Sequence, residues 1–427
     1  MVFCSINIAA QNIQKDSIHH TVKKGWMLGV LPAIGYSSDL GFQYGVLADL
    51  FDFGDGSTYP KYNQKFNVEV SGYTKGSGVY HLFYDAESPK EGFRSTIDIS
   101  YLTDRMLDFY GFNGYKSNYD KDLPSVFYKM DRKLFRISTD FQGRIKGNLK
   151  WAFGLGYYNY KIEAAENDLE YDGTLYEKMC SNGMITSDEK NGGQIVELKL
   201  GLVHDSRNLE SDPTRGFFTQ AIFSTSPPFK NDGNRGYSRI SIIHRGYIPI
   251  SGDKATFAYR IGYQNRTGGN IPFYALQNIT TLYFKQITSE GLGGINTIRG
   301  VLRNRIVGNG VALANAEFRY RFCNFRFFGQ DWYLVANPFI DAGKVTENYP
   351  AYSHLYELSN HLDVNPNNNI PSTVIYDSLK REKIHWSAGL GIKAVMSKNF
   401  VISAEIGRPF NKQDGSSGFN LGLNYIF

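Results

Sequence analysis

Cysteine is nearly absent, with 3 residues among 427. Cys4, Cys180 and Cys323 lie far apart, without the neighbouring His or Cys spacing of a zinc site and without the density of a disulfide framework. Proline is also sparse, at 14. Charge of one sign is not in excess: the net charge is +5, spread along the chain, and lacks the clustered basic face that nucleic acid requires. No apolar run approaches the roughly 18 residues of a spanning helix, so a helical membrane protein is excluded. Helix-period stripes and helix-cap signals are scarce. Disorder is a poor fit too, because β-branched and aromatic residues run evenly from end to end.

What remains abundant is aromatic and small. The chain carries 30 Phe, 30 Tyr and 44 Gly, and its hydrophobic pattern repeats with period two. In 254–264, Ala255, Phe257, Tyr259, Ile261 and Tyr263 oppose Thr256, Arg260 and Gln264. In 194–204, Val196, Leu198, Leu200 and Leu202 oppose Glu197 and Lys199. In 384–394, Ile384, Trp386, Leu390 and Ile392 oppose His385, Ser387 and Lys393. These are strands with one apolar and one polar face.

Sixteen strands are expected, at 25–36, 39–53, 61–73, 76–86, 93–104, 131–143, 147–160, 193–205, 214–226, 234–248, 254–266, 306–322, 331–344, 383–396, 400–408 and 419–427. The long gaps follow the fifth, seventh, eleventh and thirteenth strands, whereas every even-numbered strand is followed by a short one. A sandwich has no reason to sort loop lengths by parity. An even strand count, long loops at one end and both termini at the other describe an all-β, 16-stranded antiparallel transmembrane β-barrel of the outer membrane. The apolar faces then meet lipid, and the polar faces line the lumen. The Tyr-rich long connections and the Asn-rich stretch 365–369 read as solvated extracellular loops.

Both chain ends carry signals. Residues 1–10 end in a short apolar stretch with small residues before Gln11, similar to the tail of a signal peptide. The first cation is Lys15, so the basic leader is missing and the signal reads as truncated. Residues 11–24 form a short periplasmic segment, and 25–427 the barrel. At the other end, Gly422, Tyr425 and the terminal Phe427 resemble the C-terminal signature of bacterial outer-membrane proteins.

Three motifs resemble those of the BamA/TamA superfamily, also called the bacterial surface antigen family. The first is a periplasmic turn: Asp205, Ser206, Arg207 and Asn208, then Pro213 to Gly216. The second, Gly293-Gly294-Ile295-Asn296-Thr297-Ile298-Arg299-Gly300, resembles the loop that folds back into the lumen in that family. The third is a pair of wall motifs, one around Glu317 and Arg319 and the other running from Phe339 through Asp341 to Gly343. Val301 stands where the family usually has an aromatic. The resemblance covers most of 25–427, and it points to a barrel-only branch without POTRA modules, in a Gram-negative, Bacteroidetes-like host.

An arginine carried into a lumen needs carboxylate partners, and Glu317 and Asp341 share the lumen-facing parity. A latch of Arg299 on Asp341, Glu317 or both is expected, with Gly300 allowing close approach. Pro32 cannot donate to a ladder, so it marks either a weak seam between the first and last strands or a simple strand break. The resemblance implies insertion or translocation of proteins, with outer-membrane lipid (lipopolysaccharide and phospholipid), client outer-membrane proteins and a separate periplasmic protein as partners. A passive or lipid-handling channel is the alternative. No catalytic, cofactor-binding or metal residues are expected: His204, Asp205 and Ser206 are consecutive on a strand and cannot converge as a triad.

Overall fold

The computed structural model describes residues 22–427, apart from 39, 60, 89–91, 167–172, 229–234, 253, 280–290, 328–329, 351–374, 397–399 and 424–426. The signal-like stretch, Cys4, the Asn-rich stretch and Tyr425 therefore lie outside the described residues.

All sixteen expected strands are present. β1 has two segments, Trp26–Pro32 and Gly35–Ser37, both paired with β2, Gly41–Asp52. There follow β3 (Gln64–Tyr73), β4 (Gly78–Ser88), β5 (Phe93–Asp108), β6 (Lys129–Lys146) and β7 (Leu149–Ala164). Next come β8 (Gly192–Asp205), β9 (Gly216–Ser226), β10 (Tyr237–Ser251), β11 (Ala255–Gly269) and β12 (Gly310–Phe327). β13 is again split, into Gln330–Ala336 and Phe339–Glu347, around Pro338, which has no N–H to donate. β14 (His385–Met396), β15 (Phe400–Pro409) and β16 (Gly418–Leu423) complete the set. Each strand pairs antiparallel with the next, and β16 returns to β1, closing a 16-stranded barrel with no spanning helix among the described residues.

The period-two expectation holds on the wall. Leu200, Leu202, Ile261, Tyr263, Trp386, Leu390 and Ile392 are exposed on the outer face, while Glu197, Lys199, Arg260, Gln264, His385 and Lys393 are buried in the lumen. Buried charges must be paired, and the lumen wall carries pairs such as Arg132–Asp104 at 2.6 Å, Arg136–Asp98 at 2.8 Å and Arg239–Glu197 at 2.9 Å.

The long outer connections depart from the expectation of solvated loops. They pack over the barrel's outer end around an aromatic core that includes Phe109, Phe112, Phe127, Tyr176, Phe273 and Tyr349. The period-two pattern that marks strands is silent on loops that bury themselves against one another. The only α-helix among the described residues, α1 (Leu175–Ser181), belongs to this cap and starts with a capping box between Thr174 and Glu177. Asn113, at φ 63°, ties the connections together. Its N–H donates to Val307 O at 2.7 Å, and its amide donates to Tyr349 O and Tyr376 Oη, each at 3.0 Å. β5, β6 and β7 have 16, 18 and 16 residues, beyond the roughly 9–11 that cross the hydrocarbon, so they rise past the membrane as the cap's walls.

Candidate functional site

Residues 291–309 return from β11 to β12 through the lumen. Gly293 and Gly294 open the turn, and Thr297 Oγ1 accepts the Gly293 N–H at 2.9 Å. Ile298, 0 % exposed, packs with Leu292 and Val301 in a small apolar cluster. Val301, standing in the family's aromatic position, is thus the loop's own core residue.

Arg299 reaches the wall where the sequence placed its partners. Its Nε and Nη2 donate to the two oxygens of Asp341 at 2.8 and 2.9 Å, and its backbone N–H donates to Asp341 Oδ2 at 3.0 Å. Nη1 donates to Glu317 Oε2 at 2.9 Å and to Glu405 Oε1 at 3.0 Å. The guanidinium carbon lies 3.5 Å from the centre of the Phe339 ring. Burial pulls the guanidinium's pKa down, but Asp341, Glu317 and Glu405 outweigh it and hold the group above its ordinary value, a permanent cation. Asp341 is 0 % exposed and Glu317 1 %, so the pairs are desolvated and short, the regime in which a bidentate arginine is strongest.

Glu405, on β15, was missed in the sequence. Its lumen-facing parity is legible, since it alternates with Ile406, but its strand carries no motif that pairs it with a loop. Two further cations complete the cluster. Arg319 Nε donates to Glu317 Oε1 at 2.6 Å, and Lys393 Nζ lies 3.1 Å from Glu405 Oε1. Asn337 donates to Glu405 Oε1 at 2.9 Å. Three carboxylates thus face three cations, a neutral buried network spanning β12 to β15. On the adjacent wall, Arg260 Nη2 donates to Asn296 O at 2.9 Å and Thr297 O at 3.2 Å, and Asn315 Nδ2 donates to Thr297 O at 2.7 Å.

The turn between β8 and β9 is organised as the sequence suggested. Arg207 binds Asp205 bidentately at 2.9 and 2.8 Å, and Asn208 Oδ1 accepts the N–H groups of Thr214 and Arg215. The turn also does something the sequence did not indicate: it crosses the periplasmic mouth. Glu210 lies 3.5 Å from Arg94 on β5, Asp212 accepts from Tyr333 Oη on β13, and Pro213 O lies 3.5 Å from Arg319 Nη1 on β12. Gly216 opens β9 directly behind it.

The seam is short. Among the described residues, β16 pairs with β1 at Asn420–Ser37 and Leu421–Tyr36, with one further bond from Ser38 N–H to Phe419 O at 3.3 Å. Pro32 ends the first segment of β1, whose seven residues are all exposed and find no described partner across the seam. Gly422 lies on β16, opposite Ser403 of β15. Continuing the register would set Phe427 opposite Val30. Instead the Phe427 ring is buried in the lumen with Tyr247 and Ala258, and its main-chain oxygen accepts from Arg319 Nη2 at 2.9 Å. Arg319 therefore joins the end of the chain to the carboxylate network that holds Arg299.

A family model described as the Omp85 superfamily domain matches residues 61–427. Among solved structures, BamA from Haemophilus ducreyi lacking POTRA domains 1–3 aligns with a TM-score of 0.53 at 17 % identity, over 94 % of this chain and 71 % of that one. CdiB from Escherichia coli aligns with a TM-score of 0.52 at 11 % identity, over 92 % of this chain and 62 % of that one, so the chain spans less than two thirds of its length. At these identities the similarity is one of fold. No curated protein matches the chain.

Proposed function

The chain belongs to the Omp85 superfamily, and from that premise we propose that it takes part in inserting or translocating proteins at the outer membrane, by opening its seam rather than by enzymatic chemistry. A β-barrel of this family resides in a Gram-negative outer membrane, amid its lipid, and its relatives work with periplasmic partners and client proteins. A separate periplasmic protein, client outer-membrane proteins and a Bacteroidetes-like host belong to the proposal.

The observation that carries it is the short seam, two residue pairs among the described residues. The first segment of β1, exposed throughout, is paired on its other side with β2, so its seam-facing edge is one to which an incoming strand can add hydrogen bonds. The Arg299 network supports the same reading: it braces the wall from β12 to β15, and Arg319 ties that wall to Phe427 at the end of the chain rather than to the paired part of the seam.

Depletion of the protein followed by a census of outer-membrane proteins and lipids tests it. A selective loss of outer-membrane proteins is expected. An unchanged protein profile with altered permeability or lipid content rejects it in favour of a passive or lipid-handling channel.

A further inference from the structure

At the outer rim of β14 and β15 an open cleft of about 430 Å³ is lined by Tyr115, Lys383, Trp386, Phe410 and Lys412, among others. The Phe410 N–H donates to Trp386 O at 2.9 Å, which fixes the two strand ends side by side. Trp386 is 40 % exposed and Phe410 69 %. Arg408 precedes Phe410 by two residues and so shares its outward face, opposite Ala388.

The charge here is one-sided. Lys383, Arg408 and Lys412 are exposed, and none is ion-paired with a described residue. The acids within reach are turned inward and occupied. Glu382 accepts the Tyr115 N–H at 2.8 Å and faces His385 Nε2 at 3.0 Å. Asp414, 0 % exposed, accepts from Tyr115 Oη and faces His385 Nδ1, both at 2.6 Å. The Tyr115 ring stacks on His385 at 3.8 Å, sealing these carboxylates beneath the cleft. The rim of β6 and β7 differs: there the outward pair Lys133–Lys161 lies next to the outward pair Asp131–Glu163, and the signs cancel. Below the cleft, Leu390, Ile392 and Ile406 continue the outward face of β14 and β15 as an exposed aliphatic strip.

We propose that this rim cleft binds the phosphate-bearing headgroup of an outer-leaflet lipid. Lys383, Arg408 and Lys412 take the phosphate, Trp386 and Phe410 sit at the interface beside it, and the acyl chains lie along Leu390, Ile392 and Ile406. Unpaired cations at headgroup level, over apolar surface at acyl level, complement an amphiphile with an anionic head. A free anion has no use for the strip.

Native mass spectrometry of the full chain, released from mild detergent, tests this with diphosphoryl lipid A and its dephosphorylated form. The wild-type protein is expected to retain the phosphorylated lipid about ten-fold better than the dephosphorylated one. Lys383→Glu/Arg408→Glu/Lys412→Glu is expected to lose that retention by about ten-fold or more, and Lys133→Glu/Lys161→Glu to keep it. Equal retention of the two lipids, or equal losses in both variants, overturns the proposal. Loss of the wild-type adduct in millimolar inorganic phosphate overturns it as well, since the site then recognises the anion alone. Should the triple variant fail to fold, the wild-type comparison of the two lipids still decides.

Discussion

Gly300 and Gly407 meet backbone against backbone. A Cβ on Gly300, which sits at φ 86°, would fall 2.3 Å from the carbonyl carbon of Gly407, and a Cβ on Gly407 would fall 2.7 Å from Arg299 O. The lumen loop is thus seated on β15 by the absence of side chains, and this contact sets the depth from which Arg299 reaches its carboxylates. Gly300→Val is expected to lift the loop off the wall at a cost of about 1–3 kcal/mol from overpacking alone, with strain at positive φ added. Limited proteolysis of the folded barrel checks it, by new cleavage within 291–309.

Arg299→Ala leaves Asp341, Glu317 and Glu405 buried with one cation fewer and is expected to cost about 3–5 kcal/mol. Arg299→Lys restores charge but cannot span Asp341 bidentately while reaching Glu317 and Glu405, so most of the loss should persist. Unfolding in urea, followed by the heat-dependent gel shift of the barrel, measures both. A wild-type midpoint in Arg299→Lys would mean that charge alone holds the loop.

The seam makes a geometric prediction. Tyr36→Cys with Leu421→Cys joins residues directly opposite across the ladder and is expected to crosslink on oxidation. Val30→Cys with Phe427→Cys joins residues that a continued register would pair, yet Val30 is exposed outside and Phe427 buried inside, so no crosslink is expected. A crosslink in the second pair shows that β16 zips along β1.

Glu189, in the cap, accepts the Phe273 N–H at 3.0 Å and the Tyr349 hydroxyl at 3.2 Å. Burial raises its pKa, and the two hydrogen bonds only partly offset that. A carboxyl raised on folding favours the protonated state, so its contribution is full below the unfolded value near 4.3 and is lost as pH rises through the raised folded value. The cap is therefore expected to protect Phe273 and Tyr349 amides better at pH 5 than at pH 8, read by hydrogen exchange. Glu189→Gln is expected to flatten that difference.

The latch was legible before the fold because the Arg299 loop and the wall motifs of Glu317 and Asp341 each carry their own local pattern, and lumen parity joins them. Glu405 and Lys393 shared that parity but no motif, so nothing local indicated which loop they faced. Pro32 left two readings open. In the described pairing Pro32 ends the first segment of β1, and the seam shows two residue pairs among the described residues, a number that no property of Pro32 could specify.

The barrel follows from local pattern. A side-chain period of two is a local property of extended chain, so strand count, facing and the parity of loop lengths all follow from neighbours in sequence. How the ends of that barrel are closed depends on long-range contacts. The aromatic cap, the turn laid across the periplasmic mouth and the burial of Phe427 each join residues far apart in sequence, through contacts that leave no period behind. The abundance of aromatics pointed to a lipid-facing belt, and the fold spent many of them on the cap, because long loops tethered to one rim bury more apolar surface against each other than they could against water.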